Sequence, residues 1–483
     1  MIRPVCVVTL ILALCQGAAG AVQPAPVSEK DAGLWCRYVV PLPKKADIPV
    51  KLTLPVESVR VRVQEPAGDV VQAAATRLRE ALRLKNGTGG DFEILLGVCD
   101  RQGRLGGTSV PGADALATLP NREQAYVIAP LGDSRLALVG LDPRGVNYAA
   151  CTLAQLLSPK ISDGRIEMPL ARVTDWPDLA ERGIWWRRPP KSKTRRGLWL
   201  GESGYDDGTL DWFAGLKLNH QEIRLNMLVE KDKPASAYLD PGEIDRCRLR
   251  GIKMIPLISH LEQLDGSGIF TVYPETRGKG EIPKWAKTVP YICFSQPAAQ
   301  KVFDEWFASI ARDIACDDVM VWLSENAVYC SCESCKKTEQ FEHEMKVLLH
   351  AWRGAQTIRP SLRLRVLLTQ GTFPKNIGLI EKTIPRDVGV TFYSGSHTYT
   401  VARKPMIYPE LRKAAQGRWF GCCPTLAGSW HVASPFAAAA YMKERMSELR
   451  DAGAANLTGF APPSLRLNEL SMSAAAEFAW NAA

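Results

Sequence analysis

From Arg182 onward the chain alternates short apolar runs with helical segments, and it does so eight times. The runs are RGIWW (Arg182–Trp186), QEIRLN (Gln221–Asn226), KMIPLIS (Lys253–Ser259), VMVWLSE (Val319–Glu325), LRLRVLL (Leu362–Leu368), VGVTFYS (Val388–Ser394), RWFGCC (Arg418–Cys423) and NLTGF (Asn456–Phe460). Helix-periodic segments lie between them, at Thr209–Leu218, Pro297–Ala315, Phe341–Ile358 and Ala437–Asp451, and Leu470–Trp480 follows the eighth run. Parallel neighbours need a crossover, and the crossover helix covers the sheet face. Eight such units close the sheet on itself, which predicts an α/β fold, a (β/α)8 TIM barrel with functional residues at the C-terminal strand ends. The rival is an open doubly wound sheet, but no GxGxxG or GxxxxGK[ST] follows any early run.

The barrel occupies 176–483, and 22–175 reads as a small α+β domain in front of it. Leu52–Val63 alternates like one strand, Val70–Leu84 has helical spacing, and Phe92–Val98, Tyr126–Ile128 and Leu136–Leu141 read as further strands before a closing helix at Gly145–Leu157. Pro169 and Pro177 mark Arg165–Asp178 as the linker. Residues 1–21 read as a signal peptide: Arg3, an apolar run from Val5 to Cys15, then small residues ending Ala19-Gly20-Ala21. The expectation is a secreted or periplasmic protein with no integral membrane segment, because no later stretch offers about 20 apolar residues. Acylation at Cys15 is the lipoprotein alternative, which Leu14 fits poorly.

The net charge is +9, and six of those charges sit in one decapeptide, RRPPKSKTRR (Arg187–Arg196). The rest of the chain is therefore near neutral, which argues against a general nucleic-acid surface, and no nucleic-acid-binding module accompanies the basic segment.

Chemistry-bearing residues concentrate at predicted strand ends. Glu325 ends the fourth run, where burial beside apolar neighbours raises a carboxyl pKa as a general acid requires. His260 and Glu262 follow the third run. Aromatic rings suited to stacking on sugars stand near other ends: Trp185, Trp186, Tyr393, Trp419 and Trp430. Cys330, Cys332 and Cys335 have C-x-C-x2-C spacing, either a structural metal site awaiting a fourth ligand (His343, or a distant Cys such as Cys422 or Cys423) or a disulfide plus a free thiol. No catalytic metal and no organic cofactor is implied. The sequons at Asn86 and Asn456 matter only in a glycosylating host, and Asn456 begins a predicted strand.

Several segments together resemble glycoside hydrolase family 20, the β-N-acetylhexosaminidases. AYVIAPLGDSRLALVGLDPRGVNYAACTLAQLL followed by DWPDLAERGIWW is similar to the junction between that family's N-terminal domain and its barrel. LDWFAGLKLNH, GIKMIPLISHLEQL and AAAEFAWN resemble its first barrel helix with second strand, its third strand and its last helix. The resemblance implies exo-acting, retaining hydrolysis of a terminal sugar on a glycan substrate, with Glu325 as general acid/base. Arg182, His260, Tyr393 and Trp430 would then hold the sugar. The family's Asp-Glu pair is here Ser324-Glu325, and a neutral serine cannot supply the charge that orients and stabilises a reacting acetamido group. Three outcomes stay open: Glu262 substitutes, a two-carboxylate mechanism acts on another sugar, or the barrel binds glycan without catalysis. Arg187 stands where the family often has Asp. It opens the basic segment, which a sulfated or uronic-acid-containing glycan would complement if it overhangs the barrel mouth.

Overall fold

The structure, a computed structural model, describes residues 41–84, 90–157, 161–185, 207–282, 288–325, 329–393, 405–426, 439–460 and 465–482. The proposed signal peptide, the basic decapeptide, Trp186, Trp430 and Asn86 lie outside these residues.

The N-terminal part is built on a six-stranded mixed sheet in the order Lys45–Asp47, Arg172–Asp175, Tyr126–Pro130, Arg135–Gly140, Phe92–Val98, Val59–Val63. Its last three strands run parallel, with Val59 opposite Phe92 and Glu93 opposite Arg135. Helices Asp69–Ala81 and Pro143–Leu157 cover one face through Val71, Leu78, Val146 and Leu153, all buried. The strand expected over Leu52–Val63 is two strands in different sheets. Pro55 has no amide to continue the ladder, and the Ser58 hydroxyl donates to the Pro55 carbonyl across the intervening 3-10 turn. Lys51–Pro55 pairs instead with Arg165–Pro169. The stretch expected to be linker therefore holds two strands, Arg165–Pro169 and Arg172–Asp175, whose ladder bonds satisfy its backbone.

The eight predicted runs form a closed parallel barrel. The strands are Glu181–Trp185, His220–Arg224, Lys253–Ile258, Asp318–Trp322, Arg363–Leu368, Gly389–Phe392, Phe420–Cys422 and Asn456–Phe460. Helices including Pro297–Asp313, Gln340–Gln356, Ala439–Asp451 and Leu465–Trp480 pack outside it. Because side chains alternate along a strand, every second residue points inward, and the interior is layered by chemistry. At the N-terminal end Arg365 bonds both Glu181 oxygens at 2.5 and 2.8 Å and Asp318 at 3.1 Å, and Lys253 also pairs with Asp318. Above this layer His220, Asn456, Thr458 and Glu222 form a chain of hydrogen bonds of 3.0–3.2 Å. A Cβ on Gly183 would come within 2.4 Å of the His220 ring, so the imidazole fits only beside glycine. The C-terminal layer is apolar: Trp185, Leu257, Met320, Trp322, Leu367, Tyr393, Cys423 and Phe460. Asn456 is buried in the middle of this packing, closed to a glycan in the folded chain. Among the described residues no helix is long and apolar enough to cross a membrane.

Candidate active site

Glu325 stands three residues beyond Trp322, where the fourth strand ends, at the C-terminal mouth. Its side chain is 24% exposed, and its Oε2 lies 3.7 Å from His260 Nε2. Burial raises the Glu325 pKa, and the Arg224 guanidinium at the end of the second strand opposes the rise. His260 is held by its Nδ1, 3.3 Å from the Leu323 carbonyl, and by an edge-on contact with Trp322. Burial, with Arg224 as the next cause, lowers the His260 pKa to about 3, so the imidazole is neutral at physiological pH. A neutral imidazole carries no charge to stabilise the Glu325 anion, so it does not oppose the upward shift that burial gives this carboxyl.

Two further glutamates hold this strand end from behind. Glu262 lies on the 3-10 turn Leu261–Gln263 and accepts the Glu325 amide at 2.8 Å. Glu344, from helix Gln340–Gln356, accepts the Ser324 amide at 3.1 Å, and its other oxygen takes Gln340 Nε2 at 3.0 Å. Burial raises each of the two carboxyls to about 7. Thr369, at the end of the fifth strand, donates its hydroxyl to the Ser324 carbonyl at 2.6 Å. The backbone carrying Glu325 is thus fixed from three neighbouring elements.

The arrangement corrects several sequence expectations. Arg182 does not reach the mouth. Glu181, Gly183 and Trp185 face inward, so Arg182 faces out, and it sits at the N-terminal end of its strand, fully buried. There it donates to the carbonyls of Lys217 and Leu179 and to Gln124 Oε1 at 2.7–3.0 Å, with its guanidinium 4.9 Å from the Trp480 ring. Its role is structural, at the face of the barrel opposite the strand ends. Ser324 and Glu262 are 2% and 1% exposed, committed to Glu344 and to the Glu325 amide, so neither is placed to touch a ligand. Trp419 is at the wrong end, stacked 4.0 Å from the Arg365 guanidinium. Tyr393 and Trp185 do belong to the apolar layer lining the mouth, both beside Phe460. His343 packs near Phe294, and Cys422 and Cys423 lie in the seventh strand and just after it. The sulfur that joins Cys330, Cys332 and Cys335 is Cys293.

Arg224, Glu344 and Cys293 were not singled out from the sequence. Arg224 had a signal: in H-x-E-x-R, over His220–Arg224, alternate residues are polar and so share the barrel interior, with the arginine outermost.

A small α+β domain followed by a (β/α)8 barrel, in this order and topology, is the fold of family 20 glycoside hydrolases. A family 20 exo-β-N-acetylglucosaminidase from Vibrio harveyi, solved with N-acetylglucosamine, superposes with a TM-score of 0.61 at 14% identity, over 92% of this chain and 74% of its own. A β-N-acetylhexosaminidase from Bacteroides fragilis gives 0.58 at 12% identity, over 91% and 90%. A family 138 enzyme targeting pectin rhamnogalacturonan II gives 0.58 at 12%, over 88% of this chain and 51% of its own. No protein-family model matches the sequence, and no curated protein does.

Proposed function

We propose that the protein is an exported glycoside hydrolase that removes a terminal sugar, with Glu325 protonating the leaving oxygen and then activating water. The observation that carries this reading is the Glu325 carboxyl: half-buried at the barrel mouth, its pKa raised by burial, beside a neutral His260. A general acid needs this combination of access to the leaving oxygen and an upward-shifted pKa. His260 and Tyr393 bound the sugar site, and Trp430 completes it in this reading. The basic segment Arg187–Arg196 selects a sulfated or uronic acid sugar.

One observation favours a second reading. Ser324 is 2% exposed with its amide held by Glu344 at 3.1 Å, and a neutral serine there supplies no charge to polarise a substrate acetamido group. A barrel that binds glycan without hydrolysing it, or that cleaves a sugar lacking the acetamido group, is consistent with this. A panel of chromogenic glycosides, including N-acetylhexosaminides, uronides and sulfated sugars, separates the readings when wild type is compared with Glu325→Gln. Loss of about 10²–10⁴-fold in kcat supports the general acid/base. Equal turnover by the two proteins removes that assignment, and no turnover by either leaves the binding reading.

A further inference from the structure

We propose that Cys293, Cys330, Cys332 and Cys335 form a structural Zn²⁺ site that staples together two loops at the catalytic end of the barrel. The inference is independent of the hydrolase reading.

The four sulfurs lie within 4.8 Å of one another. Cys293 Sγ is 3.7 Å from Cys332 Sγ and 3.7 Å from Cys335 Sγ. A Zn–S bond of about 2.3 Å in tetrahedral geometry sets the S–S edge at about 3.8 Å, whereas a disulfide brings its sulfurs to about 2.0 Å. The separations match a tetrathiolate. Cys330, Cys332 and Cys335 come from one short loop, with the last two at C-x2-C spacing, and Cys293 arrives from another loop just before helix Pro297–Asp313.

The surroundings fit thiolate ligands. The amide of Lys279 donates to Cys330 Sγ at 3.3 Å and that of Cys335 to Cys332 Sγ at 3.4 Å. The Ser295 hydroxyl is 3.0 Å from Cys335 Sγ. Such donors stabilise the negative sulfur and orient it, as outer-shell partners of a metal do. Cys293, Cys330 and Cys335 are 1–2% exposed. The local core consists of these three with Tyr291, backed by Val289 and Cys332, so most of it is sulfur. A core this small does not order two loops by apolar burial, and a metal commonly takes that part.

The stapled loops are the ones that follow the third and fourth strands. The same strands carry His260 and Glu262, and Ser324 and Glu325. Between the loops the Ser331 amide and hydroxyl donate to the Lys279 carbonyl at 2.6 and 2.9 Å, and within the loop after the third strand the Cys293 amide donates to the Thr276 carbonyl at 2.7 Å. Zinc there holds the rim of the mouth without meeting substrate.

The test is elemental analysis of the full chain, purified with zinc in the medium and dialysed free of loose metal, together with a thiol count on the denatured protein and optical spectra after cobalt exchange. One zinc per chain, four thiols released when the metal is stripped, and the intense sulfur-to-cobalt charge-transfer band of a tetrathiolate are the expected results. Cys332→Ser/Cys335→Ser, which removes two of the four ligands, should lose most of its zinc, while Cys151→Ala, outside the cluster, should keep it. Two disulfides among the four cysteines, four free thiols that take up neither zinc nor cobalt, or full zinc retained by the double variant would each overturn the site. The wild-type measurement decides even if the variants fail to fold.

Discussion

At the residue scale the site depends on buried carboxyls doing unlike jobs. Glu325 reaches the mouth, while Glu262 accepts the Glu325 amide at 2.8 Å and is 1% exposed. Burial raises Glu262 to about 7 from a usual carboxyl value of 4.5. Below pH 4.5 the folded and unfolded chains both hold its proton, so it makes no difference to stability. As pH rises from 4.5 to 7 the unfolded chain releases the proton and the folded chain keeps it. Stability therefore falls, by up to about 1.4 kcal/mol per pH unit. Glutamine keeps the acceptor for the Glu325 amide and has no proton to lose. Glu262→Gln should remove this contribution, so that its unfolding free energy exceeds wild type by a margin that grows from pH 5 to about pH 7 and then levels off, with activity largely retained. Chemical denaturation across that range measures it, and a constant offset between the two proteins would show that Glu262 is not protonated in the folded state.

At the element scale the fourth strand end is set by contacts that sequence periodicity does not encode. The loop after the fifth strand presses on it: a Cβ on Gly371 would meet the Glu325 carbonyl oxygen at 2.6 Å and the Ser324 oxygen at 2.9 Å. Backbone at that distance cannot move aside as a side chain would, so Gly371→Ala should shift Glu325. The variant should lose at least about tenfold in kcat, the usual scale for a catalytic group displaced by a fraction of an ångström, while its far-ultraviolet circular dichroism stays that of wild type. Unchanged kcat would mean that the loop adapts. The eight strands themselves were legible, because apolar runs with period two and helices with period 3.6 are local signals. The positions of Glu325 and His260 at the strand ends were legible too, since each follows such a run. Arg182 was misplaced because resemblance gave its strand but alternation, which decides inward from outward, was not applied to it. Cys293 was missed because 37 positions separate it from Cys330, and the closed barrel alone brings their loops together.

At the scale of the whole molecule the N-terminal sheet is bolted to the barrel through a buried ionic contact around Trp480. Lys217, just after helix Asp207–Gly215, places its ammonium 3.0 Å from Asp175 Oδ2 at the end of the sheet's Arg172–Asp175 strand, and neither side chain is exposed. The same carboxyl oxygen accepts from the Tyr126 hydroxyl at 2.7 Å and from Trp480 Nε1 at 2.8 Å, and the ammonium lies 4.1 Å from the centre of the Trp480 ring. Two residues of the N-terminal sheet (Asp175 and Tyr126), one from the barrel (Lys217) and one from the last helix (Trp480) thus meet at a single charge pair, a few residues from Arg182 with its own bond to Gln124. Burial pushes the Lys217 pKa down and Asp175 opposes it, so the pair is held by geometry against a desolvation cost. Removing the cation alone leaves a buried carboxylate with hydrogen-bond donors but without the counter-charge it is paired with. Lys217→Met should therefore destabilise the protein by about 3–5 kcal/mol, whereas Lys217→Met with Asp175→Asn, which removes both charges of the pair, should recover a substantial part of that loss. Thermal unfolding of the single and double variants reads the difference. A single variant as stable as wild type would mean that the two domains are held by their apolar contacts, and that the buried pair specifies only how they meet.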